Sequence, residues 1–242
     1  MDVRTIDSPV SHFRQGTQAG LSIAIGYFPI ALTFGLLAKS SGLSMLETVL
    51  MSLIVFAGAS QYIALNLISL GTGVFEIVLT TFIVNIRHFL MSTTLTEKVE
   101  EDSLWAKITY AFGLTDETFS VIATREGKAA TGFVFGVIVM AYGSWVVFSG
   151  VGHVFGAGLP QTLQESMGVA LYAMFVGLLV PSLKGNRKYA FLALVAAAFN
   201  SIFTLGKVLS TGWSIVVATL LSAILVEWIL YIKQKGGMAH GQ

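Results

Sequence analysis

The chain reads as an all-α, polytopic membrane protein with about eight transmembrane segments. Three observations predict this. Of its 242 residues, 55% are hydrophobic and only 11% charged, where a soluble domain carries about a quarter. Mean hydropathy is +0.78. The apolar residues come in runs of about 20, enough for a helix to cross a bilayer, and lack the period-2 alternation of a transmembrane β-barrel. The 14 basic and 13 acidic residues nearly cancel and form no basic stripe, so no nucleic-acid partner is expected. Cysteine is absent, which excludes a disulfide framework and thiolate chemistry. No metal or cofactor is expected. The first apolar run outlasts the short core of a signal peptide and follows a polar stretch, so no cleavable signal is expected. The whole of 1–242 is expected to be a single transmembrane domain embedded in the lipid bilayer.

Segment 1, about 15–38, contains GLSIAIGYFPIALTFGLLA, and segment 2 covers about 45–70. Segment 3 is about 73–95, and segment 4, WAKITYAFGLTDETFSVIATR, is the least apolar at about 105–125. Segments 5 to 8 fall at about 129–152, 165–183, 188–207 and 211–232. With eight segments and both termini inside, Arg4, Arg14, Arg125, Lys128, Lys184, Arg187, Lys188, Lys233 and Lys235 face the cytoplasm. Lys39, Lys98, Lys107 and Lys207 lie outside, and Arg87 lies within the membrane. This obeys the positive-inside rule. Seven segments with the N-terminus outside scores similarly, so segment 4 decides the topology.

An offset of 84 lays Ile54, Val55, Ala57 and Ser60 over Ile138, Val139, Ala141 and Ser144. The same offset lays segment 1 over 4, 2 over 5 and 3 over 6, and Pro29 over Gly113. The expectation is an inverted repeat of three plus three segments, about 15–95 and about 105–183, with extra helices at about 188–232. Segments 1 and 4 are expected to be interrupted, at Pro29 and Gly113. Paired interruptions in inverted halves point to a transporter's binding site.

Within segment 3, FIVNIRHFLM places Asn85, Arg87 and His88 in an apolar run. An arginine near the bilayer centre costs at least about 2.5–3.5 kcal/mol on insertion scales, so it needs a partner. It either snorkels to the interface or pairs in the interior with a carboxylate of the protein or of a substrate; its guanidinium suits two parallel hydrogen bonds. His88 can relay a proton or be held by a neighbouring helix. Asn85 can bond between helices. Asp116 and Glu117 of segment 4 are the partners expected for Arg87, with Thr115 an N-cap candidate and Thr118 in the first turn. Desolvation favours a neutral acid and a nearby guanidinium an ionised one, the two-way tuning a proton-coupled carrier needs. If segment 4 is instead a surface helix, both acids face water.

Gly58, Ala59, Ser60 and Gln61 follow Phe56-Ala57 in segment 2. Small residues permit close helix packing; alternatively the helix unwinds here and offers N–H groups to a polar substrate group. Pro29 removes one backbone bond, giving a kink or a break. Glu76 and Glu227 are expected to reach headgroups. Trp105, Trp145, Trp213 and Trp228 fit interfacial belts or helix packing.

GYFPIALTFGLLAKSSGL, MSLIVFAGASQYIAL, NIRHFLMS and YAFGLTDETFSV, in this order and spacing, resemble the AzlC/BrnF/YgaZ family. The resemblance covers most of the chain. Its NxRH element falls on Asn85, Arg87 and His88, its GASQ element on Gly58, Ala59, Ser60 and Gln61, and its TDE element on Thr115, Asp116 and Glu117. Met91 stands where family members often have tyrosine. The resemblance implies the large subunit of a two-component exporter of Val, Leu, Ile and often Met, driven by proton motive force. It also implies a small hydrophobic partner of the AzlD/BrnE/YgaH type.

A branched-chain amino acid is a zwitterion with an aliphatic tail. In the carrier reading, Arg87, Asn85 and the Gly58–Gln61 break serve the carboxylate beside Pro29, Asp116 or Glu117 serves the ammonium or, with His88, carries the coupling proton, and Phe28, Phe34 and Phe56 form the pocket. The competing reading is an intramembrane serine protease: Gly58-Ala59-Ser60 resembles the Gly-x-Ser of rhomboid-type enzymes, with His88 as base. A channel is a third option, against which the paired interruptions argue.

Overall fold

A computed structural model describes residues 9–100, 102–155, 158–162 and 187–239, with 166, 169, 176, 179, 180 and 183 between them. Segment 6, with Arg4 and Lys184, lies almost wholly outside the described residues. The described residues form helices α1 (Pro9–Ser40), α2 (Met45–Val55), α3 (Gly58–Ser69), α4 (Val74–Lys98), α5 (Leu104–Phe112), α6 (Asp116–Ala123), α7 (Thr131–Phe155), α8 (Arg187–Leu205) and α9 (Thr211–Ala239). Beyond these, an isolated bridge joins Val99 to Ala129.

Among the described residues, five stretches are long and apolar enough to cross a membrane: His12–Ser40, Val74–Lys98, Thr131–Phe155, Arg187–Leu205 and Thr211–Ile232. The expected segments 2 and 4 are each a pair of short helices. α2 and α3 have 11 and 12 residues, α5 and α6 have 9 and 8. At about 1.5 Å per residue each covers roughly half of a hydrocarbon core.

Local chemistry sets the ends of these helices. Leu43 N donates to Ala38 O and Gly42 N to Lys39 O, with Gly42 at φ 87°, which closes α1 in a Schellman turn. Ser44 and Glu47 form a capping box that starts α2. Thr115 and Thr118 do the same for α6, as expected of Thr115.

The interruption expected at Pro29 is not there: α1 runs unbroken through it. Proline removes one backbone donor, and a membrane helix tolerates that where its surroundings hold it. Thr33 Oγ1 donates to the Pro29 carbonyl at 2.9 Å, and Tyr62 Oη donates to the Ile30 carbonyl at 2.6 Å. The first break lies in segment 2, at Phe56-Ala57.

The fold divides into two compact units, Met1–Asn66 with Val84–Ala173, and Leu67–Ile83 with Met174–Gln242. In the first, α1 and α7 touch backbone to backbone. A Cβ on Gly16 would lie 2.1 Å from Phe133 O, one on Gly35 2.0 Å from Ser149 O, and one on Gly152 2.1 Å from Leu32 O. Small residues allow this approach, and dispersion drives it where no hydrophobic effect operates. The partners rise together along both chains, so α1 and α7 are parallel. Parallel spans need an odd number of crossings between them, which α4 alone supplies. Segment 4 turns back instead of crossing. Lys98 donates to the Arg125 carbonyl, Ala129 N donates to Lys98 O at 2.9 Å and Thr131 donates to Asp102, so the start of α5 and the end of α6 meet at the start of α7 while the Gly113 break reaches Ile138.

In the second unit, Glu76 of α4 meets the start of α9. Ser210 Oγ donates to Glu76 Oε1, as does Trp213 N at 3.2 Å. Glu76 thus caps a helix whose first N–H groups lack intrahelical acceptors, rather than reaching headgroups. Glu227 pairs with Lys188.

Candidate functional site

The first unit gathers both interruptions around a few polar side chains. Phe56 ends α2 at φ 28°, ψ 54°, a left-handed conformation unusual for an aromatic residue, and is 2% exposed. Gly58 starts α3 directly against Trp145 of α7: a Cβ here would lie 2.8 Å from Cη2 of the indole. Trp145 Nε1 donates to Gln61 Oε1 at 2.9 Å, and Gln61 Nε2 donates to Ser52 Oγ at 3.3 Å. Ser52 in turn donates to Ser149 Oγ at 2.9 Å. Ser60 Oγ donates to the Ala57 carbonyl at 3.0 Å. Ala59, Ser60 and Gln61 are buried, so this element shapes the break through bonds within the protein.

Trp145→Phe keeps the ring in the core but strands the buried Gln61 oxygen. Losing a buried partner costs about 1–3 kcal/mol. The expected outcome is a lower melting temperature in detergent, with the loss largely recovered in Trp145→Phe/Gln61→Leu. Equal stability of Trp145→Phe and the wild type would show that the bond contributes nothing.

At the second break, Gly113-Leu114-Thr115 separates α5 from α6. Gly113 packs against Ile138, which a Cβ would approach to 2.3 Å. Asp116, the first residue of α6, pairs with Arg87 of α4: Nη1 to Oδ2 is 2.6 Å, with side chains 38% and 24% exposed for Arg87 and Asp116. This is the pairing expected from the sequence. The Arg87 Nε and the Asn85 Oδ1 are buried and have no hydrogen-bond partner among the described residues. His88 lies within electrostatic reach of Arg87 and Glu117.

Glu117 takes a different partner. Tyr27 Oη of α1 donates to Glu117 Oε2 at 2.6 Å and lies 2.8 Å from Thr115 Oγ1. The Tyr27 ring meets Trp145 edge-on, with centroids 5.2 Å apart, and Phe56 at 6.5 Å. A single buried tyrosine thus touches residues of both breaks.

The three expected pocket phenylalanines are not together. Phe34 is fully buried and stacks on Trp145 at 6.2 Å. Phe56 stands edge-on to Tyr142 at 5.1 Å. Phe28 is 45% exposed and faces Phe148 in an apolar groove of about 610 Å³ between α1 and α7. Pro29 sits in the continuous part of α1. Among the described residues, no hydrogen bond joins Ser60 to His88, so the nucleophile–base pair of a serine protease is not formed.

Tyr27 is the residue of the cluster that the sequence does not single out. Tyr27 stood inside GYFPIALTFG, and a buried tyrosine hydroxyl needs a partner. Trp145, expected either in an interfacial belt or in helix packing, stands well inside α7 and is 2% exposed, so it packs between helices.

These features define an α-helical, multi-pass membrane protein with two broken helices and a charged cluster at the second break. The chain belongs to the AzlC family, described as AzlC protein, which matches residues 22–159. That range runs from α1 to just past α7 and includes every residue of the cluster. An uncharacterized membrane protein of Archaeoglobus fulgidus is 32% identical over 219 residues, covering 89% of this chain and 94% of that one. Inner membrane protein YgaZ of Escherichia coli is 29% identical over 198 residues, 78% of this chain and 81% of its own. Branched-chain amino acid transport protein AzlC of Bacillus subtilis is 23% identical over 198 residues, 80% and 77% respectively. No solved structure matches the chain.

Proposed function

We propose that this protein is a secondary transporter that exports leucine, isoleucine, valine and methionine from the cytoplasm, coupled to proton motive force. It acts as the large subunit beside a small hydrophobic membrane subunit of the AzlD/BrnE/YgaH type, in the cell (inner) membrane with both termini cytoplasmic. The substrate class is supported by the printed name of the Bacillus subtilis relative. The observation that carries the mechanism is the Arg87–Asp116 pair beside a broken helix, with the buried Arg87 Nε still unmatched.

A zwitterion suits such a place. Its carboxylate accepts from Arg87, whose guanidinium has donors beyond the one given to Asp116. Its ammonium takes a carboxylate, Glu117 or an Asp116 released from Arg87. Asn85 offers an acceptor, and His88 with the two acids carries the coupling proton. Pro29 and Gly58–Gln61, with Phe28, Phe34 and Phe56, are assigned to shaping the path. Rocking of one helical repeat against the other gives alternating access.

Counterflow of labelled leucine, valine and methionine in proteoliposomes tests this, with and without a pH gradient and with and without the small subunit. Saturable exchange that responds to the gradient is the expected result. Absence of exchange for every aliphatic amino acid under all these conditions sinks the substrate assignment.

A further inference from the structure

We infer that Tyr27 is a positioning residue that competes with the substrate's ammonium for Glu117 and so couples substrate binding to both helix breaks. This rests on the transport reading above. The Tyr27 hydroxyl is a neutral donor, held 2.6 Å from a carboxylate oxygen. An ammonium brings a full positive charge and up to three donors to the same oxygens, and charge-assisted bonds are roughly twice as strong as neutral ones. The ammonium therefore displaces the hydroxyl.

Displacement has consequences at both breaks. At the second, the hydroxyl leaves Thr115, whose side chain caps the first turn of α6 by accepting from Thr118 N at 3.2 Å. At the first, the ring bears on Phe56, the residue at φ 28° that ends α2, and on Trp145, which holds Gln61 and fills the space beside Gly58. Tyr27 is 4% exposed, so its ring cannot shift without moving one of these neighbours. Among the described residues, the two breaks have no other aromatic side chain in common that also bonds an acid.

The test is equilibrium binding of labelled leucine to the full chain, under the reconstitution conditions in which the wild type exchanges leucine. Tyr27→Phe keeps the ring and removes the competing hydroxyl. It is expected to bind leucine at least about tenfold more tightly, the lower end of what one hydrogen bond to a charged group supplies, and to turn over more slowly. In a Glu117→Gln background the same substitution has no effect on affinity. 4-Methylpentanoate, which is leucine without its ammonium, competes equally well against wild type and Tyr27→Phe. A purely structural tyrosine would lower the melting temperature and leave affinity alone. Unchanged or weaker leucine binding by Tyr27→Phe, or tighter binding that persists without the Glu117 charge, overturns the inference. Should Tyr27→Phe not fold, 3-fluorotyrosine at position 27 decides, because its hydroxyl is the stronger donor to Glu117: weaker leucine binding than the wild type supports the inference, and wild-type affinity overturns it. If the wild type binds no leucine, the transport reading fails and this one with it; if it binds and Tyr27→Phe does not tighten, only this one fails.

Discussion

Arg87→Ala reduces leucine export at least about tenfold while the protein still inserts in the membrane. The side chain is needed in two ways. It balances Asp116 at 2.6 Å, and its remaining donors stand ready for a second carboxylate. Removing one partner of a buried pair leaves an uncompensated charge, at about 3–5 kcal/mol when burial is complete. Here Arg87 and Asp116 keep 38% and 24% exposure, so the stability loss is smaller and insertion survives. Transport suffers more, because only the guanidinium matches a carboxylate with two parallel bonds. Arg87→Lys keeps the charge but not the fork, and restores only part of the rate. The decisive comparison is Arg87→Gln/Asp116→Asn against Asp116→Asn alone, read as equilibrium binding of labelled leucine. If Arg87 only neutralises Asp116, the double variant binds leucine as well as Asp116→Asn does. If it also holds the substrate's carboxylate, the double variant binds leucine more weakly than Asp116→Asn. Export by Arg87→Ala at the wild-type rate would remove Arg87 from the transport path altogether.

Gly35→Ala and Gly152→Ala each destabilise the protein, by about 2–3 kcal/mol, the upper part of the range for overpacking. Added Cβ atoms would meet Ser149 O at 2.0 Å and Leu32 O at 2.1 Å. Both obstacles are backbone, so no rotamer change relieves them and the parallel helices must separate. Separation forfeits dispersion contacts along the pair, which is the force that holds helices together in lipid. For a chain of this size the expected fall in melting temperature is roughly 4–12 °C. Gly26→Ala is the internal control. It lies in the same helix with nothing within 4 Å of its Cβ position, and alanine is the better helix former, so its stability is unchanged or slightly raised. If Gly35→Ala and Gly152→Ala melt with Gly26→Ala, α1 and α7 are not in direct backbone contact.

Much of the charged cluster was legible beforehand. An arginine in an apolar helix and two acids in a second weakly apolar segment have few other ways to be accommodated, so the Arg87–Asp116 pairing follows from the cost of burying either alone. Thr115 was legible as a cap because Thr-Asp-Glu-Thr after a glycine offers a side-chain oxygen to the first turn. Glu117 was assigned the same partner as its neighbour, but successive residues on a helix point about 100° apart. It therefore turns to α1 and meets Tyr27. The break expected at Pro29 is absent, since one missing backbone donor leaves the rest of the helix intact, whereas the unwinding weighed for segment 2 after Phe56-Ala57 is present, with Phe56 in a left-handed conformation.

What the sequence determined by itself is therefore what depends on local cost: helical spans, since lipid leaves no other partner for backbone N–H and C=O groups, and a buried cation that must find an acid. What only the tertiary structure decided is what depends on packing between distant segments. That segment 4 turns back follows from Lys98 meeting Arg125 and Asp102 meeting Thr131, and the meeting of both breaks at Tyr27 follows from contacts 88 and 90 positions apart in the chain. Composition and periodicity report the environment a residue needs, not which segment supplies it.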